Sequence, residues 1–240
     1  MSNQTPIRRK LVIVGDGACG KTSLLCTFAL GEFPKEYVNQ ISVVLIRLPR
    51  LVAAVFDNYV AEIRLDEKPI QLALWDTAGQ EEYERLRPMS YSKSHVILIA
   101  FAIDTPDSLD NVTTKWIEEV RSICGPQVPV ILVGCKADLR PSNDEPSAPD
   151  NPRQWVTREQ GERVANIIGA RAYKECSALK IEGVDDVFET ATRASMLMRD
   201  GAPSHLQNSD SSKHHRRRSS GKGTLPQDED SKSWGCCAIC

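Results

Sequence analysis

The sequence GDGACGKT, Gly15 to Thr22, has the residue types and spacing of a phosphate-binding loop. A triphosphate needs successive backbone N–H groups to converge on its oxygens, and Gly15, Gly17 and Gly20 allow the tight bend this requires. Lys21 would reach the β- and γ-phosphates, and Thr22 would give its hydroxyl to Mg²⁺. An ordinary glycine-rich turn is the alternative, but the stretch lies between a strand-like and a helix-like segment, as phosphate binding requires. The residues predicted to bind phosphate are Gly15, Asp16, Gly17, Ala18, Cys19, Gly20, Lys21, Thr22 and Ser23.

A second stretch, DTAGQ, ends an apolar strand and would lie beside the same phosphates. A carboxylate at Asp76 can hold the Mg²⁺ shell, so Thr22 and Asp76 are the predicted metal ligands. Gly79 can bring its N–H to a γ-phosphate, and Gln80 can orient an attacking water as the catalytic residue. A strand that ends in Asp usually marks only a turn, but its pairing with the phosphate loop favours hydrolysis.

The choice of base is predicted from two further strand ends. In GCKADL, Asp138 can accept hydrogen bonds from N1–H and the exocyclic amine of guanine, which adenine does not offer. Lys136 can lay its methylene stem along the purine, and CSALK offers a backbone N–H for the guanine oxygen through Ser177, Ala178 and Leu179. Each fragment alone fits a surface loop, and an ATP-using enzyme is disfavoured by CKAD and by the lack of a second substrate domain.

Strand and helix patterns alternate along the body of the chain. RRKLVIVG, HVILIAFAID and PVILVG are apolar runs typical of strands buried on both faces. YVAEIRLD and IQLALWD predict a hairpin with a turn at EKP, and a last strand, RAYKEC, precedes a helix with apolar residues at helical spacing. These patterns indicate an α/β domain with a largely parallel sheet flanked by helices.

Composition and the C-terminal sequence suggest where the chain works. No run of about 18 apolar residues could span a bilayer and no secretory signal is evident, so we expect the cytosol, where the eight cysteines would be thiols. Residues 201–240 are polar and predicted to be a disordered tail. The final CAIC fits a lipidation motif, with Cys237 as the prenylation site and Cys236 as a candidate for palmitoylation.

A basic cluster, Lys213 to Arg218, would support that lipid anchor at an anionic membrane surface. Two other readings of this region stay open. The cluster fits a nuclear-localisation signal, and the terminal cysteines with His214 and His215 could bind zinc, although their spacing matches no usual zinc site. The lipid itself stays open, because a C-terminal Cys matches neither the usual farnesyl nor the geranylgeranyl pattern.

Together these motifs resemble the Rho family of small GTPases, and in particular fungal Rho proteins of the cell-polarity and cell-wall type. The resemblance covers about Arg8 to Met198 and rests on GDGACGKT, EFPKEY, VFDNYV, LALWDTAGQEEYERLRPMSY, DTPDSLDNV and VPVILVGCKADLR. It implies the P-loop NTPase fold of small GTPases, with a mixed six-stranded, mostly parallel sheet. It also implies Mg²⁺ as cofactor and GTP and GDP as ligands, with Phe33 edge-on to the guanine and Glu81 to Pro88 as the second switch.

The resemblance further implies exchange factors, GTPase-activating proteins that supply an arginine, a GDP-dissociation inhibitor and effectors as partners, with no nucleic acid. The location expected is the cytoplasmic face of the plasma membrane, with a cytosolic pool. The predicted organisation is an N-terminal extension at 1–7, a GTPase domain at 8–200 and a lipidated tail at 201–240. The function expected is that of a GTP/GDP switch that hydrolyses GTP slowly without a GTPase-activating protein.

The sequence departs from the family in the first switch. Residues 39–54 stand where the family has Pro and Thr, and Ala54 occupies the register of the threonine that serves Mg²⁺ and the γ-phosphate. Three readings are open: retained intron sequence, a real insertion that binds a partner or membrane, or an insertion that leaves a nucleotide-binding scaffold with a non-functional first switch. Cys135 also replaces the usual Asn or Thr, and the segment after ADLR is proline-rich, which disfavours a regular helix there.

Overall fold

The computed structural model describes residues 5–34, 58–77, 79, 85, 87–141 and 155–198. The insertion at 39–54, Gln80, residues 142–154 and the tail with Cys236 and Cys237 lie outside this part of the chain, and the predictions made for them stay predictions. The same holds for the predicted domain limits. Among the described helices, none is long and apolar enough to cross a membrane.

Within the described residues, six strands form one sheet in the order β2-β3-β1-β4-β5-β6. β2 and β3 pair antiparallel as a hairpin. The other neighbouring pairs, β3–β1, β1–β4, β4–β5 and β5–β6, are all parallel. This is the mixed, mostly parallel sheet that the sequence predicts. The strands are β1 (Ile7–Gly15), β2 (Asn58–Leu65), β3 (Lys68–Trp75), β4 (Val96–Ala102), β5 (Val130–Cys135) and β6 (Ala172–Glu175).

The hairpin turn lies one position earlier than the sequence predicts. Asp66 and Glu67 form it with φ values of 49° and 64°, and Lys68 and Pro69 already belong to β3. Two central residues with positive φ give the turn a twist that matches the right-handed twist of its strands. The predicted turn includes Pro69, but its fixed φ is compatible with its place near the start of β3.

The helices pack on both faces of the sheet. A π-helical turn, Val112–Trp116, joins α3 and α4 into one continuous helical run. Gly31 ends α1 with φ 77°, and the apolar face predicted for the last helix is buried in α6. The helices are α1 (Lys21–Leu30), α2 (Arg87–Tyr91), α3 (Pro106–Asn111), α4 (Ile117–Cys124), α5 (Arg158–Ile167) and α6 (Val184–Ser195).

The core consists of two apolar layers, one on each face of the sheet. Along β1, Leu11 and Ile13 pack in the layer that contains α1 and α6, whereas Val12 and Val14 pack in the layer that contains α3, α4 and α5. Every residue of β4 and β5 is buried. Because the central strands are held on both faces, the loops that leave their carboxyl ends start from fixed positions.

A buried ion pair ties α2 to α4. The fully buried Arg87 donates two hydrogen bonds to Glu119, at 2.9 and 2.8 Å, and the Tyr91 hydroxyl donates a third, at 2.6 Å. Burial alone would raise the pKa of Glu119, but the hydrogen bonds from Arg87 and Tyr91 hold this pKa below its ordinary value of 4.5. The carboxylate is therefore charged in the folded protein and neutralises the buried guanidinium.

Replacing Glu119 by Gln should lower the free energy of unfolding by about 3 kcal/mol at pH 7, because the buried guanidinium of Arg87 then loses the carboxylate that neutralises it. A carboxyl whose pKa is lowered by folding stabilises above its unfolded-state pKa and loses this effect as the pH falls through the folded-state value. The difference from the unchanged chain should therefore narrow below pH 4.5. Urea unfolding of both proteins at pH 7 and below pH 4.5 measures this difference in the free energy of unfolding.

Glu162→Gln is the matched control for that substitution. Glu162 pairs with Arg158 at 3.2 Å on the surface of α5, and both side chains are more than half exposed. Exposed pairs contribute about 0.5 kcal/mol or less, so this change should leave unfolding nearly unaltered at either pH. Equal effects of the two substitutions would contradict the role assigned to the buried pair.

Candidate functional site

The residues that the sequence predicts to bind nucleotide lie together at one edge of the sheet. Gly15 ends β1, Asp76 follows β3, Lys136 follows β5, and Ser177 lies two residues beyond β6. These strands are parallel, so their carboxyl ends meet at the same edge, where open α/β sheets bind their ligands. The structure therefore brings the three predicted motifs to one site.

The phosphate loop has the tight bend that its glycines predict. At Gly15, with φ 144°, an added Cβ would lie 2.1 Å from the carbonyl oxygen of Ala100, so only glycine fits beside β4. Gly20, with φ 107°, leads into α1. The ammonium of Lys21, 5% exposed, donates to the carbonyl oxygens of Gly15 at 2.9 Å and Asp16 at 2.6 Å. A buried positive charge is thus held at the loop.

Cys19 in this loop serves packing rather than chemistry. Its Sγ lies 3.6 Å from the carbonyl oxygen of Ala100 and 3.8 Å from the ammonium of Lys21. Burial raises the pKa of the Cys19 thiol to about 12, with the Lys21 charge opposing that rise. The side chain is therefore a neutral thiol at physiological pH and no nucleophile.

The two predicted metal ligands meet in the structure. The Thr22 hydroxyl donates to Oδ2 of Asp76 at 2.5 Å, and the backbone N–H of Thr77 donates to Oδ1 at 3.0 Å. Thr77 in turn donates its hydroxyl to the carbonyl oxygen of Ile13, at 2.6 Å, which fixes the start of this loop against β1. A hydroxyl beside a carboxylate is an oxygen donor set that suits Mg²⁺, which usually takes its remaining ligands from water and phosphate. The residues present therefore fit the predicted metal.

Gly79 packs directly against the phosphate loop. A Cβ on residue 79 would lie 2.4 Å from the carbonyl oxygen of Gly15 and 2.5 Å from backbone atoms of Asp16 and Gly17. No side chain can occupy that space while the two loops keep this spacing. Gly79 therefore lies directly beside the phosphate loop, and its role at the γ-phosphate stays a prediction. Gln80, the predicted catalytic residue, lies outside the described residues.

A cavity of about 240 Å³ adjoins the phosphate loop. The predicted residues that line it are Ala18, Gly20, Ser23, Phe33, Lys136, Asp138, Ala178 and Leu179. Sequence reasoning did not assign four further lining residues to the site: Leu24, Cys135, Leu139 and Cys176. Three of them stand in motifs that the sequence analysis used: Cys135 and Leu139 in GCKADL, and Cys176 in CSALK. The cavity joins the phosphate-binding and base-binding motifs into one site.

Side chains from neighbouring loops orient the two residues predicted to bind the base. The hydroxyl of Ser177 donates to Oδ1 of Asp138 at 2.5 Å and accepts from the backbone N–H of Lys180 at 3.0 Å. Lys136 has φ 62°, and its ammonium contacts the carboxylate of Asp104 at 3.3 Å. With its ammonium held there, the Lys136 side chain lines the cavity.

An ion pair that the sequence did not predict braces the base-binding loops. Arg140 donates to both oxygens of Glu175 at 2.8 Å and also to the carbonyl oxygen of Val156 at 2.8 Å. The Tyr173 hydroxyl donates to Glu175 at 2.6 Å. Burial would raise the pKa of Glu175, but the hydrogen bonds from Arg140 and Tyr173 lower it. The brace joins the loop after β5 to the end of β6.

The chain is similar to known proteins that are named as GTP-binding. The model of the Ras family matches residues 10–197. The chain is 59% identical over 204 residues to "GTP-binding protein rho2" of Schizosaccharomyces pombe, covering 83% of this chain and 93% of that protein. It is 55% identical over 195 residues to "GTP-binding protein rho1" of the same yeast, covering 80% and 89%. "GTP-binding protein RHO1" of Saccharomyces cerevisiae is 53% identical over 195 residues, covering 80% and 85%.

The chain therefore belongs to the Ras family, the class of small GTPases that the sheet and the phosphate loop define. Within that class it is a Rho-type small GTPase of the fungal kind. The predicted small-GTPase fold with its mixed six-stranded sheet is confirmed, and so is the predicted membership in the fungal Rho proteins.

Proposed function

We propose that this chain is a molecular switch that binds GTP and GDP and hydrolyses GTP to GDP and phosphate. One observation carries the proposal: a single cavity is lined by Gly20 and Ser23 of the phosphate loop and by Asp138 of the base-binding loop. A purine nucleotide spans these two kinds of contact. The names of the similar yeast proteins, all "GTP-binding", support guanine as the base.

Different residues bind the phosphates, hold the metal and orient the attacking water. Lys21 and the backbone N–H groups of the loop bind the phosphates, and Thr22 with Asp76 holds Mg²⁺. When bound, the metal neutralises charge that develops on the phosphate oxygens. Gln80 orients the attacking water, and Gly79 brings the backbone close to the γ-phosphate. Because no side chain here forms a covalent intermediate, hydrolysis depends on positioning and electrostatic stabilisation.

The partners and location follow from family membership and from the C-terminal sequence. Exchange factors, GTPase-activating proteins, a GDP-dissociation inhibitor and effectors would regulate and read the switch. Cys237 would carry a prenyl chain and Cys236 a palmitoyl chain, with the basic cluster 213–218 adding affinity for anionic lipids. Two lipids or a lipid with a basic patch give stable anchoring, which supports the cytoplasmic face of the plasma membrane.

A nucleotide-binding scaffold with a non-functional first switch is the second candidate. It is motivated by Ala54, which stands where the family has the threonine that contacts Mg²⁺ and the γ-phosphate. Similarity to GTP-binding Rho proteins over most of the chain favours the cycling switch over the scaffold.

Single-turnover hydrolysis of Mg²⁺-GTP by the full chain tests the proposal, beside a version in which Asn39 to Ala54 is replaced by Pro-Thr. We expect both proteins to bind GTP in preference to ATP. The chain as written should hydrolyse GTP about a hundredfold more slowly, because Ala54 lacks the hydroxyl that serves Mg²⁺ at this register.

Gln80→Leu in the shortened protein is the control, since it should remove hydrolysis and leave GTP binding intact. If only the shortened protein hydrolyses GTP, the chain as written is the scaffold. If neither protein binds guanine nucleotides, the proposed function is wrong.

A further inference from the structure

The carboxylate of Asp16, the second residue of the phosphate loop, is held by two neutral donors from distant sequence. The indole Nε1–H of Trp116 donates to Oδ1 at 2.7 Å, and the side-chain amide of Asn111 donates to Oδ2 at 2.7 Å. Hydrogen bonds to an ionised group are shorter and stronger than those between neutral groups. We call this arrangement the Asp16 clamp.

A local irregularity in the helical run lets both donors reach the same carboxylate. Asn111 ends α3 and Trp116 ends the π-helical turn, in which the backbone N–H of Ile117 bonds to the carbonyl of Val112. In an α-helix, residues five apart are rotated by about 140° from each other. Hydrogen bonding from i to i+5 widens the turn and brings such residues towards one face, and π-helical turns are frequent at functional sites.

Behind the clamp, Trp116 packs against α2, which begins within the predicted second switch. Its side chain is fully buried, and the guanidinium of Arg87 lies 5.0 Å from the ring centre. Arg87 begins α2 and is itself held by Glu119 of α4. The indole is therefore fixed on one side by buried charge and on the other by the phosphate loop.

On the loop itself, Asp16 links the clamp to the phosphate-binding groups. Its side chain accepts from Asn111 and Trp116, while its carbonyl oxygen accepts from the ammonium of Lys21 at 2.6 Å. A shift of the Asp16 side chain would move the peptide that orients Lys21. Groups held in their binding geometry before the ligand arrives bind it more tightly than groups that must be ordered first.

We propose that Asn111 and Trp116 are positioning residues that hold the phosphate loop in its binding geometry through Asp16 and thereby slow nucleotide release. Neither side chain lines the cavity, and both act through Asp16 and Lys21. The inference rests on the proposed function, since it concerns the release of a guanine nucleotide from this site.

A double-mutant cycle on the full chain tests the inference, with the dissociation rate of a fluorescent GDP analogue in Mg²⁺ buffer as the measurement. Trp116→Phe removes the N–H donor but keeps an aromatic ring against Arg87, and Asp16→Ala removes the acceptor. Trp116→Phe should speed dissociation about tenfold, the effect of one hydrogen bond to a charged group, and Asp16→Ala at least as much, because it removes both hydrogen bonds of the clamp. The double variant should release the analogue no more than about twofold faster than Asp16→Ala, because the partner of the indole is already gone.

Asn111→Ala provides a second arm that leaves the buried ring in place, and it should speed dissociation by a similar factor. Trp155→Phe, the same change at a partly buried residue that does not line the cavity, should leave the rate within about twofold of the unchanged chain. The association rate of the analogue and the thermal unfolding midpoint are measured for every variant, so that loss of folded protein is distinguished from faster release.

Two results would overturn the inference while leaving the proposed function intact. One is an additive cycle, in which the double variant releases the GDP analogue faster by about the product of the factors measured for the two single variants. The other is a dissociation rate unchanged in both Trp116→Phe and Asn111→Ala while the unfolding midpoint falls, which would make the clamp purely structural. Failure of the unchanged chain to retain the GDP analogue would instead overturn the proposed function and the inference with it.

Discussion

Replacing Asp138 by Asn should lower the affinity for GTP about a hundredfold and make xanthosine triphosphate the preferred nucleotide. Guanine presents two donors, N1–H and its exocyclic amine, whereas xanthine presents N1–H beside a carbonyl oxygen. The Ser177 hydroxyl donates to Oδ1 of Asp138 at 2.5 Å, so an amide at this position keeps its oxygen on Ser177 and turns its NH₂ towards the base. That NH₂ can donate a hydrogen bond to the xanthine oxygen. With guanine it would face the exocyclic amine, which is another donor.

Competition of GTP and of xanthosine triphosphate against labelled GDP measures the relative affinities of the variant for these two nucleotides. Asp185→Asn is the matched control, because Asp185 is exposed in the first turn of α6 and does not line the cavity. It should leave the preference for GTP unchanged. An Asp138→Asn chain that still prefers GTP would remove Asp138 from base recognition.

Gly79→Ala should slow GTP hydrolysis about a hundredfold and leave GDP affinity within a few-fold of the unchanged chain. The added Cβ would meet backbone atoms of Gly15, Asp16 and Gly17 at 2.4 to 2.5 Å, so the two loops must move apart. A displacement of about 1 Å in reacting groups costs about a hundredfold in rate. The base cavity is lined by other residues and should keep its contacts. Single-turnover hydrolysis and GDP titration measure the two effects.

Gly169→Ala is the control for that change. An added Cβ there meets nothing within 4 Å, and the φ of 65° at Gly169 imposes only local backbone strain, which costs about 1 kcal/mol of stability. Hydrolysis by this variant should match that of the unchanged chain. Normal hydrolysis by Gly79→Ala would show that the close packing of residue 79 on the phosphate loop plays no part in the reaction.

Much of the site could be predicted because its chemistry is local in sequence. The bend of the phosphate loop depends on glycines inside the motif, and the apolar runs of β1, β4 and β5 mark strands buried on both faces. Once those strands are parallel, their carboxyl ends must meet, which places Asp76 and Asp138 at one edge. The prediction for the hairpin turn was wrong in position because Glu67, which has a positive φ, is not one of the residue types that usually mark such a turn.

The supports of the site could not be predicted, because they join residues far apart in sequence. Trp116 reaches Asp16 across 100 positions and Arg140 reaches Glu175 across 35. Neither contact follows from a periodic pattern. The π-helical turn that orients Trp116 differs from an α-helix by a local widening that the apolar spacing of residues 106–124 does not reveal.

The brace formed by Arg140 has a consequence for how this protein family can vary. Arg140 stands just before residues 142–154 and binds both Glu175 and the carbonyl oxygen of Val156, so the two ends of this segment are fixed to each other and to the end of β6. Doubling the length of a flexible connection costs only about 0.6 kcal/mol once its ends are fixed. Sequence between these anchor points can therefore lengthen, shorten or acquire new binding motifs while the base cavity beside it stays unchanged.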